Sequence, residues 1–171
     1  MDMRDIKEFC KDFLVYIIIG VVIFLTVVYV VSLQQVRGSS MEPTYHAQDI
    51  LLLNKLHYQI FNPKRFDVVA VLDQNDGPVI KRIIGLPGET VEYKDNELYI
   101  NGEKIEETFK KSITEDFSLD YEIGKSQYFI VGDNRENSTD SRNSKVGLIT
   151  EDKLIGKVMF RIWSGWNNGL Y

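Results

Sequence analysis

The sequence is poor in the residues that build metal centres and cross-links. Among 171 residues it has one cysteine, Cys10, and two histidines, His46 and His57. A single cysteine excludes an intrachain disulfide framework, and this composition argues against thiolate or histidine-rich metal sites. Long basic tracts are missing too, because 20 Lys and Arg are outnumbered by 25 Asp and Glu. The electrostatic footprint of nucleic-acid binding is therefore lacking, and we expect no metal, no cofactor and no nucleic-acid partner.

Apolar residues are abundant and are concentrated near the N-terminus. In residues 13–33, 18 of 21 are apolar, and no charge lies between Asp12 and Arg37. A helix of 21 residues spans roughly 31 Å, which matches a hydrocarbon core of roughly 30 Å. The run is longer than a signal-peptide core and no small-residue cleavage site follows it. We predict a transmembrane anchor at residues 13–33, since the remaining chain is too small to bury such a helix on every side.

The charges beside this segment predict its orientation. Arg4, Lys7 and Lys11 precede it within a dozen positions, whereas Arg37 alone lies just beyond it. Basic residues near a membrane span favour the cytoplasmic side. The sequence thus predicts a cytoplasmic tail at residues 1–12 and places the rest of the chain on the outer face of the cell membrane.

Residues 34–171 are dominated by short β-rich runs, with little helical periodicity. Asp95-Asn96 and Asn101-Gly102 have the residue types of tight hairpin turns. Residues 108–126 are polar and weakly periodic, which predicts a surface excursion. We expect one all-β domain. Its predicted strands are 50–53, 68–72, 79–84, 90–93, 97–100, 128–131 and 157–162.

Three clusters in this domain have the composition of a chemical site. The first is Gly38-Ser39-Ser40-Met41-Glu42-Pro43-Thr44, a few residues beyond the predicted membrane exit. A serine here would act close to the bilayer surface, although a Ser/Pro turn after a helix has the same composition. Alone, this stretch leaves both interpretations open.

The second cluster places Lys81 and Arg82 inside a run, residues 79–84, whose other members are all apolar. Buried lysines are uncommon and usually have a specific cause. Strand alternation puts Lys81 on the same sheet face as Val79 and Ile83. A lysine that blocks pairing at an exposed sheet edge is the alternative interpretation.

The third cluster, residues 132–142, reads Gly-Asp-Asn-Arg-Glu-Asn-Ser-Thr-Asp-Ser-Arg and directly follows a predicted strand. Asp and Arg at alternating positions can form charge-assisted pairs that hold a loop rigid. An ordinary solvated loop is the alternative, but such a loop needs no such density of hydrogen-bonding groups.

In this order, the anchor and the three clusters resemble the bacterial type I signal peptidases of the compact Gram-positive type, which are membrane-anchored serine proteases. The resemblance also includes Phe66-Asp67-Val68-Val69, and Gly85-Leu86-Pro87-Gly88-Glu89 after the Lys-Arg pair. It implies removal of signal peptides from exported preproteins, with cleavage after small residues in an Ala-x-Ala pattern. Signal peptides, the lipid bilayer and the protein export machinery are then the expected partners.

The resemblance also implies roles for individual residues. They are the nucleophile Ser40, the general base Lys81, the lysine-orienting Ser138 and two supporting pairs, Asp133 with Arg135 and Asp140 with Arg142. A lysine accepts a proton only when it is neutral, and its ordinary pKa is about 10.4. Burial disfavours the ammonium form, and Arg82 would act in the same direction if its charge were not fully paired.

Substrate recognition is expected at two exposed strand edges, residues 36–38 and 79–81, where an extended peptide can pair. The expected shallow apolar pockets for alanine-sized side chains are lined by Val36, Gly38, Met41, Val79 and Ile80. Gly38 stands where some relatives carry a serine that donates to the oxyanion. The Ser40 backbone N–H is one candidate donor, and a second backbone N–H or a water would have to replace that serine.

Two other classes of protein are compatible with parts of this pattern. A self-cleaving repressor-type protease would need a DNA-binding domain where this chain has an anchor. An inactive membrane-anchored adaptor would tolerate loss of Ser40 or Lys81, yet both are present. The aromatic segment 160–171, with Trp163 and Trp166, either rests on the bilayer surface or packs in the core.

Overall fold

The computed structural model describes residues 3–73, 77–109 and 112–165. Helix α1 covers Met3–Val30, and strand β1 follows it directly at Val31–Gln35. Within α1, Lys7–Val30 is 24 residues long and apolar enough to cross a membrane, and its apolar window is not buried inside the domain. The helix ends before the predicted boundary at residue 33. The reason is that residues 31–33 pair with β2, so strand pairing overrides the continuing apolar run.

A seven-stranded antiparallel sheet forms the larger part of the domain. In spatial order its strands are β1, β2 (Ile50–Asn54), β11 (Leu154–Trp163), β3 (Val68–Asp73), β4 (Gly77–Gly85), β9 (Gln127–Val131) and β10 (Ile149–Thr150). A short helix, α2, covers His57–Ile60, and 3-10 helices cover Arg135–Asn137 and Glu151–Lys153.

A smaller antiparallel sheet packs beside it. Its strands, in spatial order, are β7 (Glu103–Ile105), β6 (Glu97–Ile100), β5 (Val91–Lys94) and β8 (Phe117–Ser118). Each of the seven predicted strands is present with small shifts at its ends, so the all-β prediction is confirmed.

Both predicted hairpin turns are also present. Asp95 and Asn96 have φ angles of 51° and 66°, and Asn101 and Gly102 have φ angles of 51° and 79°. Positive φ at both central residues is the conformation that matches the twist of the flanking strands. These turns join β5 to β6 and β6 to β7.

The predicted surface excursion at residues 108–126 is wrong in part. It contributes strand β8, and its residues Thr114, Leu119 and Ile123 are buried. Leu119 and Ile123 pack against Val91 and Phe129 in the core of the smaller sheet. Isolated apolar residues in a polar stretch carry no periodic signal, which is why the sequence pattern did not show their burial.

The outer face of β1, β2 and β11 is exposed and apolar. The strand registers place Leu33, Leu52 and Phe160 in one row across this face, with Ile50 opposite Trp163 in the next row. Phe160 is 56% exposed and Trp163 is 62% exposed, so neither packs in a core. The last six residues of the predicted aromatic segment, 166–171 with Trp166, lie outside the described residues.

Candidate active site

The segment that carries Ser40 leaves β1 through a tight turn. Gly38 has a φ of 70°, a left-handed conformation that glycine adopts without strain, and there is open space where a side chain would begin. Glycine therefore suits this turn without strain. Met41 is buried beside Ser40, and its carbonyl accepts from the Tyr45 N–H at 2.9 Å. Ser40 therefore sits half-exposed on a segment anchored by a buried neighbour.

Lys81 lies in the middle of β4, an interior strand between β3 and β9. Its burial argues against the interpretation of a lysine that guards an exposed sheet edge. The side chain is only 5% exposed and lies on the sheet face of Val69, its cross-strand partner, and Ile83. Its Nζ donates to the Ser138 hydroxyl at 2.8 Å. The structure thus buries the amine among apolar groups and holds its end with one hydroxyl.

Asp140 lies near Ser138, and the Ser138 hydroxyl is one of the groups that favour its ionised form and lower its pKa. The Asp140 carboxylate accepts from the Gly132 N–H at 3.0 Å and from the Arg142 Nε at 2.8 Å. Burial raises the pKa of Asp140, but Arg142 and these hydrogen bonds outweigh it and hold the pKa below its usual value. An ionised Asp140 is therefore held close to the hydroxyl that contacts Lys81.

The loop after β9 is bound directly to the Ser40 segment. The Asn134 N–H donates to the Ser40 carbonyl at 3.0 Å, and the Asn137 Nδ2 donates to the Ser39 hydroxyl at 2.7 Å. Gly132 lies where both the Ser40 carbonyl and the Ser138 hydroxyl approach, so closely that a Cβ would overlap both. The glycine lets the two serines reach the same side of the loop.

The two supporting pairs differ from the sequence prediction in one case. Asp140 pairs with Arg142, as expected. Asp133 instead pairs with Arg82, whose Nε and NH2 donate to its two carboxylate oxygens at 2.8 and 2.6 Å. Arg135 pairs with Glu107 rather than with Asp133. The pairing of Asp133 with Arg135 was wrong, because both side chains find partners brought together only by the fold.

These pairs also change the electrostatics expected around Lys81. Arg82 is buried, forms a bidentate ion pair with Asp133 and lies over the Phe109 ring at 3.9 Å from its centroid. Its charge is therefore compensated, and it does not supply the unpaired positive charge that was considered for Lys81.

A cavity of about 520 Å³ opens beside Ser40 and Lys81. Its lining residues are Arg37, Gly38, Ser39, Ser40, Val71, Leu72, Val79, Lys81, Ile130, Asn137, Thr139, Asn143, Lys145, Val146, Ile149 and Lys153. Neither histidine is among them. The cavity thus brings the predicted nucleophile and base to one concave surface.

Of the five predicted pocket residues, Gly38 and Val79 line this cavity. Val36, Met41 and Ile80 do not, because they are buried together in a core cluster on the other side of β4. Alternation along β4 accounts for the difference between Val79 and Ile80. Along the second edge of β4, pairing with β9 begins only at Arg82, so within the described residues no strand pairs with residues 78–81 on that side.

Several supporting residues were not anticipated from the sequence. Glu107 pairs with Arg135, Thr44 donates to the Asp133 carboxylate, and Asn134 and Asn137 bind the Ser39–Ser40 segment. The two asparagines lie in the loop 132–142, which is rich in hydrogen-bonding groups. The sequence around Glu107, in contrast, gives no sign that this residue supports the site. Among the residues that the structure describes, no group of His, Cys, Asp and Glu is arranged to hold a metal ion.

Comparisons with known proteins agree with this architecture. The model of the family "Signal peptidase, peptidase S26" matches residues 6–163. Signal peptidase I T of Bacillus subtilis is 44% identical over 137 residues, covering 73% of this chain and 70% of that protein. Signal peptidase I of Bacillus caldolyticus is 36% identical over 149 residues, covering 79% and 81%.

A solved structure gives the same result for the fold. The crystal structure of a signal peptidase I from Enterococcus faecalis V583 superposes with a TM-score of 0.52 at 37% identity, covering 58% of this chain and 98% of that one. The family match spans α1 and nearly all described strands, including every motif on which the predicted resemblance rests. The chain therefore belongs to the signal peptidases of peptidase family S26, and the predicted resemblance to bacterial type I signal peptidases is confirmed.

Proposed function

We propose that this chain is a membrane-bound serine endopeptidase that removes signal peptides from exported preproteins, cutting after small residues in an Ala-x-Ala pattern. The observation that carries the proposal is the buried Lys81, hydrogen-bonded to Ser138 at 2.8 Å, in the cavity that Ser40 also lines. Family membership and the names of the relatives, all signal peptidases, support the substrate class.

The proposed reaction uses Ser40 as nucleophile and Lys81 as general base. The neutral Lys81 amine takes the Ser40 hydroxyl proton while Oγ attacks the scissile carbonyl carbon, giving a tetrahedral oxyanion. As the C–N bond breaks, the Lys81 ammonium returns that proton to the leaving amine. The acyl-enzyme on Ser40 is then hydrolysed by a water that Lys81 deprotonates. No step needs a metal or a cofactor.

The oxyanion needs preorganised donors, each worth about 2.7 to 4 kcal/mol. The Ser40 backbone N–H is the first donor in this proposal. Because Gly38 offers no side chain, a second backbone N–H or a bound water has to complete the hole. The hydrogen bonds from Asn134 and Asn137 hold the Ser39–Ser40 segment and so support its role as a rigid donor.

The substrate is proposed to bind as an extended strand between the segment 36–38 and the unpaired edge of β4 at 78–81. The Val36 N–H and carbonyl are already bonded to Asp49 and Gln48, which fixes this segment from behind. Gly38 and Val79 border the peptide, whereas Val36, Met41 and Ile80 pack behind the two segments in a core cluster that supports them without lining the cavity.

The proposed membrane topology follows from α1 and the charges before it. Residues 1–12 are cytoplasmic, α1 crosses the bilayer and the β domain lies on the outer face. The exposed row Leu33, Leu52 and Phe160, with Trp163, adjoins the end of α1 and is proposed to rest on the bilayer. The export machinery that delivers preproteins is the expected protein neighbour.

The proposal is tested with full-length protein in detergent and a purified preprotein carrying an Ala-x-Ala site. We expect cleavage at the single bond after the second alanine, identified by mass spectrometry of the mature N-terminus. Replacing that alanine with a bulky residue should abolish the cut, since the proposed specificity admits only a small side chain at that position. Binding of the preprotein without hydrolysis would instead favour the adaptor class.

A second prediction concerns Ser138, whose hydroxyl accepts the hydrogen bond from Lys81. Ser138→Ala removes that partner and lets a four-carbon side chain rotate, so we expect kcat/KM to fall roughly 5- to 150-fold, equivalent to about 1 to 3 kcal/mol. Ser138→Thr keeps the hydroxyl and should be milder. Wild-type kcat/KM in Ser138→Ala, with an unchanged melting temperature, would reduce Ser138 to a turn-closing residue.

A further inference from the structure

The cavity beside Ser40 has a charge opposite to that of the chain. Four of its lining side chains are basic: Arg37, Lys81, Lys145 and Lys153. None of its described lining residues is acidic, although the chain as a whole has a formal net charge of −5. The positive surface of this cavity is therefore a local arrangement and not a reflection of overall composition.

Lys145 and Lys153 are the two cations available to a ligand. Lys81 is engaged with Ser138, whereas neither Lys145 nor Lys153 takes part in an ion pair of the described chain. Their backbones are nevertheless ordered. The Lys145 N–H donates to the Asn143 Oδ1 at 2.9 Å, and Lys153 ends the 3-10 helix Glu151–Lys153. Lys145 and Lys153 are thus held at their backbones, and within the described chain their ammonium groups are available to a ligand in one cavity.

The acidic groups closest in sequence do not cancel this charge. Glu151 and Asp152 precede Lys153 but do not line the cavity, and Asp140 is neutralised by Arg142 on the other side of the loop. The same cavity is also lined by apolar side chains, among them Val71, Val79 and Ile149. A lining that combines cations with apolar side chains fits a peptide in which small apolar and acidic side chains lie close together.

We propose that Lys145 and Lys153 are specificity-determining residues that favour substrates with an acidic side chain within a few residues of the scissile bond, and disfavour basic ones there. This inference rests on the proposed function, since it assumes that peptides are cut at Ser40. A lipid headgroup could also supply an anion, but the apolar lining residues and the presence of Ser40 in the same cavity favour a peptide.

The test uses full-length protein in neutral detergent and a set of Ala-x-Ala peptides. Each peptide carries Asp, Asn or Lys at one of the four positions on either side of the cut, and kcat/KM is measured. At one or more positions we expect Asp to exceed Lys by about 10-fold, and this ratio should shrink at high salt. Lys145→Gln and Lys153→Gln should each lower the ratio about threefold, and the double substitution to Glu should reverse it.

Lys104→Gln is the matched control. Lys104 is an exposed lysine on β7 whose ion pair is with Glu97, and it does not line the cavity, so its loss should leave the Asp-to-Lys ratio unchanged. Equal cleavage of Asp and Lys peptides at every position would overturn the inference while leaving the proposed function intact. No cleavage of any peptide by the wild type would contradict the proposed function itself.

One further outcome would overturn the inference in favour of lipid binding. That outcome is an equal loss of cleavage of the Asp, Asn and Lys peptides by the lysine variants in vesicles containing phosphatidylglycerol, with no change of the Asp-to-Lys ratio in detergent. The two cations would then bind anionic headgroups and would not select the peptide. If the lysine variants instead lower the Asp-to-Lys ratio both in detergent and in vesicles, selection of the peptide by Lys145 and Lys153 is supported.

Discussion

Ser40→Ala and Lys81→Ala are each expected to lower kcat/KM on a preprotein by about 10⁴-fold or more, because each removes one member of a proton-transfer pair. Lys81→Arg should fail equally, since a guanidinium stays protonated and cannot act as a base. Single-turnover cleavage assays on the detergent-solubilised protein measure the loss. Both variants should keep the circular dichroism spectrum of the wild type.

The double variant gives the internal control for this prediction. If Ser40 and Lys81 act as one unit, removing both should cost little more than removing either. Substantial turnover in Lys81→Ala would exclude the lysine as base. His46 or His57 would then be the candidate general base, although neither lines the cavity beside Ser40.

Gly132→Ala is expected to produce the second-largest loss. A Cβ at this position would overlap the Ser40 carbonyl and the Ser138 hydroxyl, and the first of these is backbone that cannot rotate away. The two serines must therefore separate, and a displacement on the order of 1 Å at reacting groups costs about 10²-fold in rate. Overpacking should also lower the free energy of unfolding by about 1 to 3 kcal/mol. Measurements of kcat/KM and of urea unfolding test both effects.

Gly124→Ala is the matched control for this substitution. A Cβ at Gly124 would meet the end of the flexible Gln127 side chain, which can move aside, and Gly124 does not line the cavity. It should therefore retain wild-type turnover. A Gly132→Ala enzyme with full activity would show that the close approach of Ser40 and Ser138 to Gly132 is not needed for catalysis.

The sequence predicted the strands and the long helix well because their signals are local. Residues 79–84 form an apolar run interrupted only by Lys81 and Arg82, and the Asn101-Gly102 turn needs only its own two residues to be recognised. The helix boundary was less accurate, since an apolar run does not reveal that Val31 pairs with Asn54. Cross-strand pairing is a property of the fold and not of the run.

In the candidate site too, residues within local motifs were predicted, whereas contacts between distant parts of the chain were not. The motifs indicated Ser40, Lys81 and Ser138, and the contact between Lys81 and Ser138 agrees with the orienting role, which stays a prediction. The partners of Asp133 and Arg135 could not be predicted, because Arg82 and Glu107 are 51 and 28 positions away along the chain. Likewise, only the three-dimensional register shows that Val79 faces the cavity while Ile80 is buried.

The junction between α1 and β1 has a consequence for where the enzyme can cut. The helix ends at Val30 and the strand begins at Val31, so no flexible linker separates the anchor from the domain. Lys55 secures this junction, since its N–H donates to the Val30 carbonyl and its Nζ to the Val28 carbonyl, both at 2.8 Å. In the proposed topology, this direct junction holds the β domain at a fixed distance from the membrane span, and Ser40 with it at a fixed height above the bilayer. We therefore expect cleavage only of peptide bonds presented at that height, so that the junction sets the position of the cut.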